Sequence, residues 1–453
     1  MKEGFIGKFI LSVAMVTFMV SCSQQSNSNS DIDRQSDSKE QIVTEVEAIF
    51  IDTLNPLVLG HENPKENLEP PVLSLEPPLK VPLSFHTQSI ELNDTTFNLT
   101  LPEKWNISAA KEGFGRLRFL SKSPDGRLFA TDMKNRSDNS RGKVFILEGF
   151  DKTTATFDTC ITYLEKLRNP NNSAFHTDTS GVDWFYLALT QKLVRYKYTP
   201  GETSPSSPEE LVAEFPDYGL SYKYGGWHLT RTVAIHNEKV YVSVGSSCNA
   251  CEEKEPERAS ILEMDLDGKN VNNYAYGVRN AVDINWIQGA LYSTNMGADH
   301  LGDDAPDEAL YKLERGAHYG WPYFYQHDGE IRADTSETWV HDSLLSKDVP
   351  LAYAELGGHS APLGFEFFEG DNWPESIRNY FVVALHGSGY VRIGNGYNLV
   401  RIAEGLEPEP VISGWLKDGH RFGRPTDVFI YDDNSFFITD DHAGVLYFVE
   451  IDE

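Results

Sequence analysis

Three arginines follow glycines in short segments of similar make-up. They are Arg118 in Gly115-Arg116-Leu117-Arg118, Arg279 in Gly277-Val278-Arg279-Asn280 and Arg424 in Gly423-Arg424-Pro425. A guanidinium presents a planar fork of donors that matches a carboxylate or phosphate. Gathered in one place, the three would make an anion site in a chain whose 68 acidic and 39 basic residues give a net charge of −29. Singly, each is an ordinary surface or structural arginine; their recurrence at similar points along the chain argues for a shared site. His228 (in Gly225-Gly226-Trp227-His228), His359 (in Gly357-Gly358-His359) and His386 (in Leu385-His386-Gly387) lie in comparable glycine-containing loops. A neutral imidazole is the natural general base near pH 7, although a lone loop histidine more often only makes hydrogen bonds. Asp299-His300-Leu301-Gly302-Asp303-Asp304 offers oxygens to Ca²⁺ without the spacing of an EF-hand, so a solvated acidic loop is the plainer reading. Cys248-Asn249-Ala250-Cys251 is followed by Glu252 where haem attachment needs His, and no second pair completes a zinc site. A short disulfide between Cys248 and Cys251 is expected in an oxidising compartment. Nucleophile elbow, P-loop, H-E-x-x-H and dinucleotide-binding glycine patterns are absent.

The elements that must position these residues are β-strands. Apolar runs begin at 128, 185, 240, 291, 381 and 436, at intervals of 57, 55, 51, 90 and 55 residues, and each is followed by a second run. Six copies of a unit too small to bury its own face make an all-β, six-bladed β-propeller over residues 81–453. Two stacked β-sandwiches are the alternative, and nothing breaks the spacing midway to favour them. The 90-residue interval places an insertion around 314–360, on the connection from blade four to blade five. Ring closure calls for an N-terminal strand, expected within 95–110, to complete the last blade.

Residues 1–22 read as a lipoprotein signal peptide. A weakly basic start precedes Phe9 to Val20, a run shorter than the ~20 residues of a spanning helix. It ends in Met19-Val20-Ser21-Cys22, with Cys22 as the lipidated residue, and residues 23–80 form a flexible polar tether. The expected location is the bacterial cell envelope, lipid-anchored, with Ser23 favouring the outer membrane. The lipid would be the sole membrane attachment. The acidic balance argues against nucleic acid, whose binding needs lysines and arginines on phosphates.

Together the segments Gly225 to Arg231, Val242 to Ser247, Gly277 to Asn280, Leu301 to Asp304, His318 to Tyr323, Gly358 to Gly364, Ala384 to Ser388, Gly423 to Pro425 and Asp440 to Val445 resemble the glucose/sorbosone dehydrogenase family. The sorbosone-dehydrogenase-like branch fits better than the glucose dehydrogenase branch. The family consists of soluble quinoproteins that use pyrroloquinoline quinone (PQQ), and the likeness covers roughly residues 105–450. It implies a PQQ- and Ca²⁺-dependent dehydrogenase oxidising an aldose or related aldehyde to a lactone or acid. Arg118, Arg279, Asn280, His359 and Arg424 would hold PQQ; main-chain oxygens of Ala298 and Asp299 would hold Ca²⁺; His228 would be the base. Trp227 stands where the glucose dehydrogenase branch has an aspartate before its base, which leaves open what orients His228. Tyr390 and its neighbours replace the usual tryptophan-containing continuation after His386-Gly387-Ser388. No haem motif is fused to the chain, so a separate acceptor, a cytochrome or a quinone, would take the electrons. A calcium-dependent lactone hydrolase and a non-catalytic glycan- or protein-binding lipoprotein are the rival readings.

Overall fold

All six apolar runs are second strands of antiparallel sheets, five of them four-stranded and the fifth blade's six-stranded: Leu128–Asp132, Asp183–Ala188, Lys239–Val244, Ala290–Asn295, Phe381–Leu385 and Ser435–Asp440. The computed structural model describes residues 78, 80–92, 94–217, 228–336 and 343–452. Cys22, the signal peptide and nearly all of the 23–80 tether lie outside the described residues. Four of the six second strands, including Leu128–Asp132 and Phe381–Leu385, are buried at every position. A strand covered on both faces reads as a continuous apolar run rather than as an alternation.

The innermost strands, Leu117–Lys122, Asn172–Thr177, Val233–His236, Ile284–Ile287, Pro362–Phe367 and Pro425–Asp432, stand round a central axis, and contacts run from blade to blade until the ring closes, with Ala290–Asn295 making the contact from blade four to Pro362–Phe367. Between blades lie six apolar clusters, one per seam, such as Phe129, Val144 and Tyr163 against Phe185 and Leu187. Phe119, Val282 and Leu363 form a smaller apolar cluster from the first, fourth and fifth blades.

Two expectations about chain path need correction. Trp105–Glu112 closes blade six by pairing antiparallel with Val445–Ile451, but the strand expected in 95–110 is in fact two. Thr95–Pro102 pairs with Phe85–Leu92 as a hairpin and joins the outer edge of blade five through Thr100 and Ser413. The break comes at Lys104, which adopts φ +71° in a turn just after Pro102. The extra chain of the long interval lies chiefly within blade four rather than between blades four and five. Its outermost strand, Ala354–Glu355, follows the insertion and pairs with Ala309–Leu313. Two residues carry no pattern, so periodicity could not say on which side of this strand the extra chain falls. The inserted segment folds back as a hairpin, Phe324–His327 with Glu330–Ala333.

Trp105 is 1% exposed and meets Phe436 edge-on, with ring centroids 5.7 Å apart, at the ring closure. Replacing a buried tryptophan with alanine typically costs ~3–5 kcal/mol. Trp105→Ala is expected to lower the urea midpoint accordingly, and an unchanged midpoint would show that closure does not depend on this strand.

Candidate functional site

Each blade offers two places at one end of the channel: the segment entering its first strand and the segment leaving its second. Arg116 and Arg118 enter blade one, His228 blade three, Arg279 and Asn280 blade four, His359 blade five and Arg424 blade six. Asp299 follows the second strand of blade four, and His386 that of blade five. All of them line one cavity of about 520 Å³, within the ~300–1,000 Å³ of small-molecule sites. Val282 and Leu363 of the channel cluster supply apolar wall.

The cavity is a concentration of positive charge. Arg116, Arg118, Arg136, Arg279 and Arg424 surround it, with Asp299, Glu308 and Asp441 as the acids nearby. Burial lifts the Glu308 carboxyl to about 8 and so keeps it mostly protonated at neutral pH. Burial lowers Arg116 and Arg424 only to about 10, so both stay cationic. Burial alone would raise Asp441, but Arg116, His386 and Arg118 hold it well below the usual carboxylate range. It meets Arg116 at 2.6 Å, Arg118 at 2.5 Å and His386 Nε2 at 2.7 Å. Arg118 also donates to Asn171 at 2.9 Å, and Arg424 to the main-chain oxygens of His386 and Gly387. Each arginine is thus anchored by some of its donors, and the remainder can serve a ligand.

His228 is set up as a base. Burial, reinforced by Arg279, pushes its pKa well below the ordinary value, so the ring is neutral. Its Nδ1 lies 2.9 Å from both the main-chain oxygen and the hydroxyl of Ser246. The Ser246 hydroxyl spends its proton on the carbonyl of Cys248 at 2.7 Å, so both Ser246 oxygens face Nδ1 as acceptors. The proton therefore sits on Nδ1, and Nε2 keeps the basic lone pair. His228 adopts φ +48° and His359 φ +59°, a region costly for a side chain of this kind and concentrated at functional sites. Gly245 is required beside the base: a Cβ there would lie 2.6 Å from His228 Cβ and 2.8 Å from Asn280 Oδ1. That Asn280 oxygen is buried without a hydrogen-bond partner.

Residues 189–406 match the model of the Glucose / Sorbosone dehydrogenase family. An uncharacterized protein of Borreliella burgdorferi is 32% identical over 286 residues, covering 59% of this chain and 74% of that protein. The chain belongs to the glucose/sorbosone dehydrogenase family. Solved structures similar in fold include the holo form of the PQQ domain of pyranose dehydrogenase from Coprinopsis cinerea. Its TM-score is 0.63 at 16% identity, covering 78% of this chain and 97% of that one. The calcium structure of a Carbohydrate-Active Enzymes Family AA12 protein from Trichoderma reesei gives 0.61 at 16% identity, covering 78% and 96%. Membership makes the chain an oxidoreductase of the sugar dehydrogenase type.

Arg118, Arg279, Asn280, His359, Arg424, His228 and Asp299 converge on the cavity of this glucose/sorbosone dehydrogenase fold, whereas Ala298 lines a smaller hollow beside it. His359 holds the 298–304 loop, with Nε2 against the Gly302 carbonyl at 2.7 Å and Nδ1 3.6 Å from Asp299. Cys248 and Cys251 form a disulfide. Arg116, Asp441, Ser246 and Glu308 were not anticipated as site residues. Arg116 was legible as a second arginine two residues before Arg118, at the entry to the same strand, and Asp441 as the blade-six counterpart of His386. Ser246 and Glu308 gave no comparable signal.

Asp441→Asn removes the counter-charge of two buried guanidiniums, a change expected to cost ~3–5 kcal/mol at neutral pH. The folded-state pKa of Asp441 is depressed, so its contribution is present above the unfolded value of ~3.9 and fades as pH falls below it. In urea unfolding the gap between wild type and variant should narrow below about pH 4; a gap constant down to about pH 2 would count against the ionised assignment.

Proposed function

We propose that this chain is a PQQ- and Ca²⁺-dependent dehydrogenase oxidising an aldose or related aldehyde to the lactone or acid, anchored to the bacterial envelope through Cys22. The observation that carries the proposal is a neutral, Nδ1-protonated His228 facing an arginine-ringed cavity. PQQ, with its three carboxylates, suits this donor set. Arg118, Arg279 and Arg424 would hold carboxylates, with Arg116 beside them, and the orphaned Asn280 oxygen and His359 would complete the cradle. Ca²⁺ suits the turn at 298–299, where neither carbonyl accepts a main-chain hydrogen bond among the described residues. When bound, PQQ supplies a hydride-accepting quinone and Ca²⁺ supplies Lewis-acid polarisation of it.

The protein's own part is to orient the sugar and take its proton. His228 Nε2 accepts the proton of the anomeric or hydrate hydroxyl as the C–H bond is lost. Arg279 lies close enough to disfavour a charged imidazole before reaction. That keeps the base available down to mildly acidic pH. Tyr390, 63% exposed, lines the cavity, and an Arg392–Asp303 pair ties the blade-four and blade-five loops to each other. The names of the structures similar in fold, a pyranose dehydrogenase PQQ domain and a calcium-containing carbohydrate-active enzyme, support this reading. A separate cytochrome or quinone would reoxidise the cofactor.

Dye-linked oxidation of an aldose and aldehyde panel, with and without PQQ and Ca²⁺, tests the proposal: turnover should need both. His228→Ala should lower kcat by at least ~10²–10⁴ while PQQ affinity stays within about twofold. Normal turnover in that variant would remove His228 from the mechanism.

A further inference from the structure

One residue outside the assigned set touches several parts of the site at once. The loop leaving the second strand of blade three closes on itself through the Cys248–Cys251 disulfide, and Asn249 lies inside that ring. The main-chain oxygen of Asn249 accepts from Arg279 Nε at 2.8 Å and from Trp321 Nε1 at 3.1 Å. Its side-chain oxygen accepts from Arg279 Nη2 at 2.8 Å and from the main-chain N–H of Asp299 at 2.9 Å. Its side-chain nitrogen lies 3.0 Å from His300 Nδ1. Both ends of the amide are in use, and the guanidinium is gripped as a fork by two oxygens of a single residue. One residue earlier, the Cys248 carbonyl takes the Ser246 hydroxyl proton, so that hydroxyl joins the Ser246 main-chain oxygen as an acceptor facing His228 Nδ1.

We propose that the Cys248–Cys251 ring positions the site and that Asn249 is its positioning residue. The closed ring fixes the Arg279 fork and the 298–299 turn and, through the Ser246 hydroxyl, one of the two acceptors that hold His228 Nδ1. The inference rests on the PQQ reading above. A disulfide across so short a loop removes little entropy from the unfolded chain, so its effect is local. It holds the main chain on either side of Asn249 where both oxygens of that residue can be used together. Both cysteines are partly exposed, within reach of a small dithiol. A dithiol reductant delivers two electrons and two protons, the S–S bond breaks to give two thiols, and the reductant leaves as its own disulfide.

The test compares oxidised protein, protein reduced with dithiothreitol and freed of reductant by gel filtration under argon, Cys248→Ser/Cys251→Ser and Asn249→Ala. PQQ is titrated by tryptophan quenching, with thermal melts and histidine ¹⁵N spectra of the PQQ-free protein in parallel. Reduction and both variants should each weaken PQQ binding by about tenfold or more, with melting temperature nearly unchanged. The His228 Nδ1–H ¹⁵N signal should shift in the reduced protein and in the double cysteine variant, as one of its two acceptors is released. Reoxidation should restore affinity in the wild type, and the double cysteine variant should not respond to reductant. Undiminished affinity in reduced wild type and in Asn249→Ala would overturn the positioning role and leave the PQQ reading standing. Failure of the oxidised wild type to bind PQQ at all would overturn both.

Discussion

A single carboxylate with no exposed surface, Asp441, sits between Arg116, Arg118 and His386. Burying several guanidiniums around one cavity is expensive unless something nearby repays the lost hydration. Asp441 supplies part of that repayment from the far side of the cavity wall, and carbonyls of blade five supply more to Arg424. The wall can then stay cationic in an acidic chain. Without this counter-charge the arginines would be driven towards solvent, and the cavity would lose the property that makes it selective for an anion.

The propeller makes such a gathering straightforward. Residues from blades one, three, four, five and six reach a common space because each uses the same two structural places, at the start of an inner strand or the end of the next. The first strands of blades one, five and six shift register at this end, between Leu117 and Leu120, Pro362 and Phe365, and Pro425 and Asp427. Among the positive-φ residues, His228 and His359 are the two histidines that line the cavity, and His359 also grips the 298–304 loop. The rest of the ring over-determines these two conformations through six apolar seams.

The strand pattern was legible because the second strand of each blade is covered on both faces, so its apolar run stands out. The arginine set was legible because glycines and short β-runs flank it at equivalent points. Ser246 illustrates what was not legible: serine after glycine is common, and its value lies in where its proton goes, which depends on a carbonyl two residues away. The two-residue outer strand of blade four was equally invisible, since two residues carry no period. The hairpin at 85–102 was hidden by the same economy, one sharp turn at Lys104 dividing what reads as a single strand.

The ring is closed by a strand from the beginning of the fold lying against one from its very end, Trp105 beside Ile451. Pairing across that sequence distance is slow and costly in loop entropy. No growing chain can complete it before residues 445–451 have been made. Asp441 and Arg424 also belong to that final blade, so a nascent or truncated chain has no charge-balanced cavity. A ligand held in the cavity would therefore weigh against reopening at the seam where residues 105–112 meet 445–451.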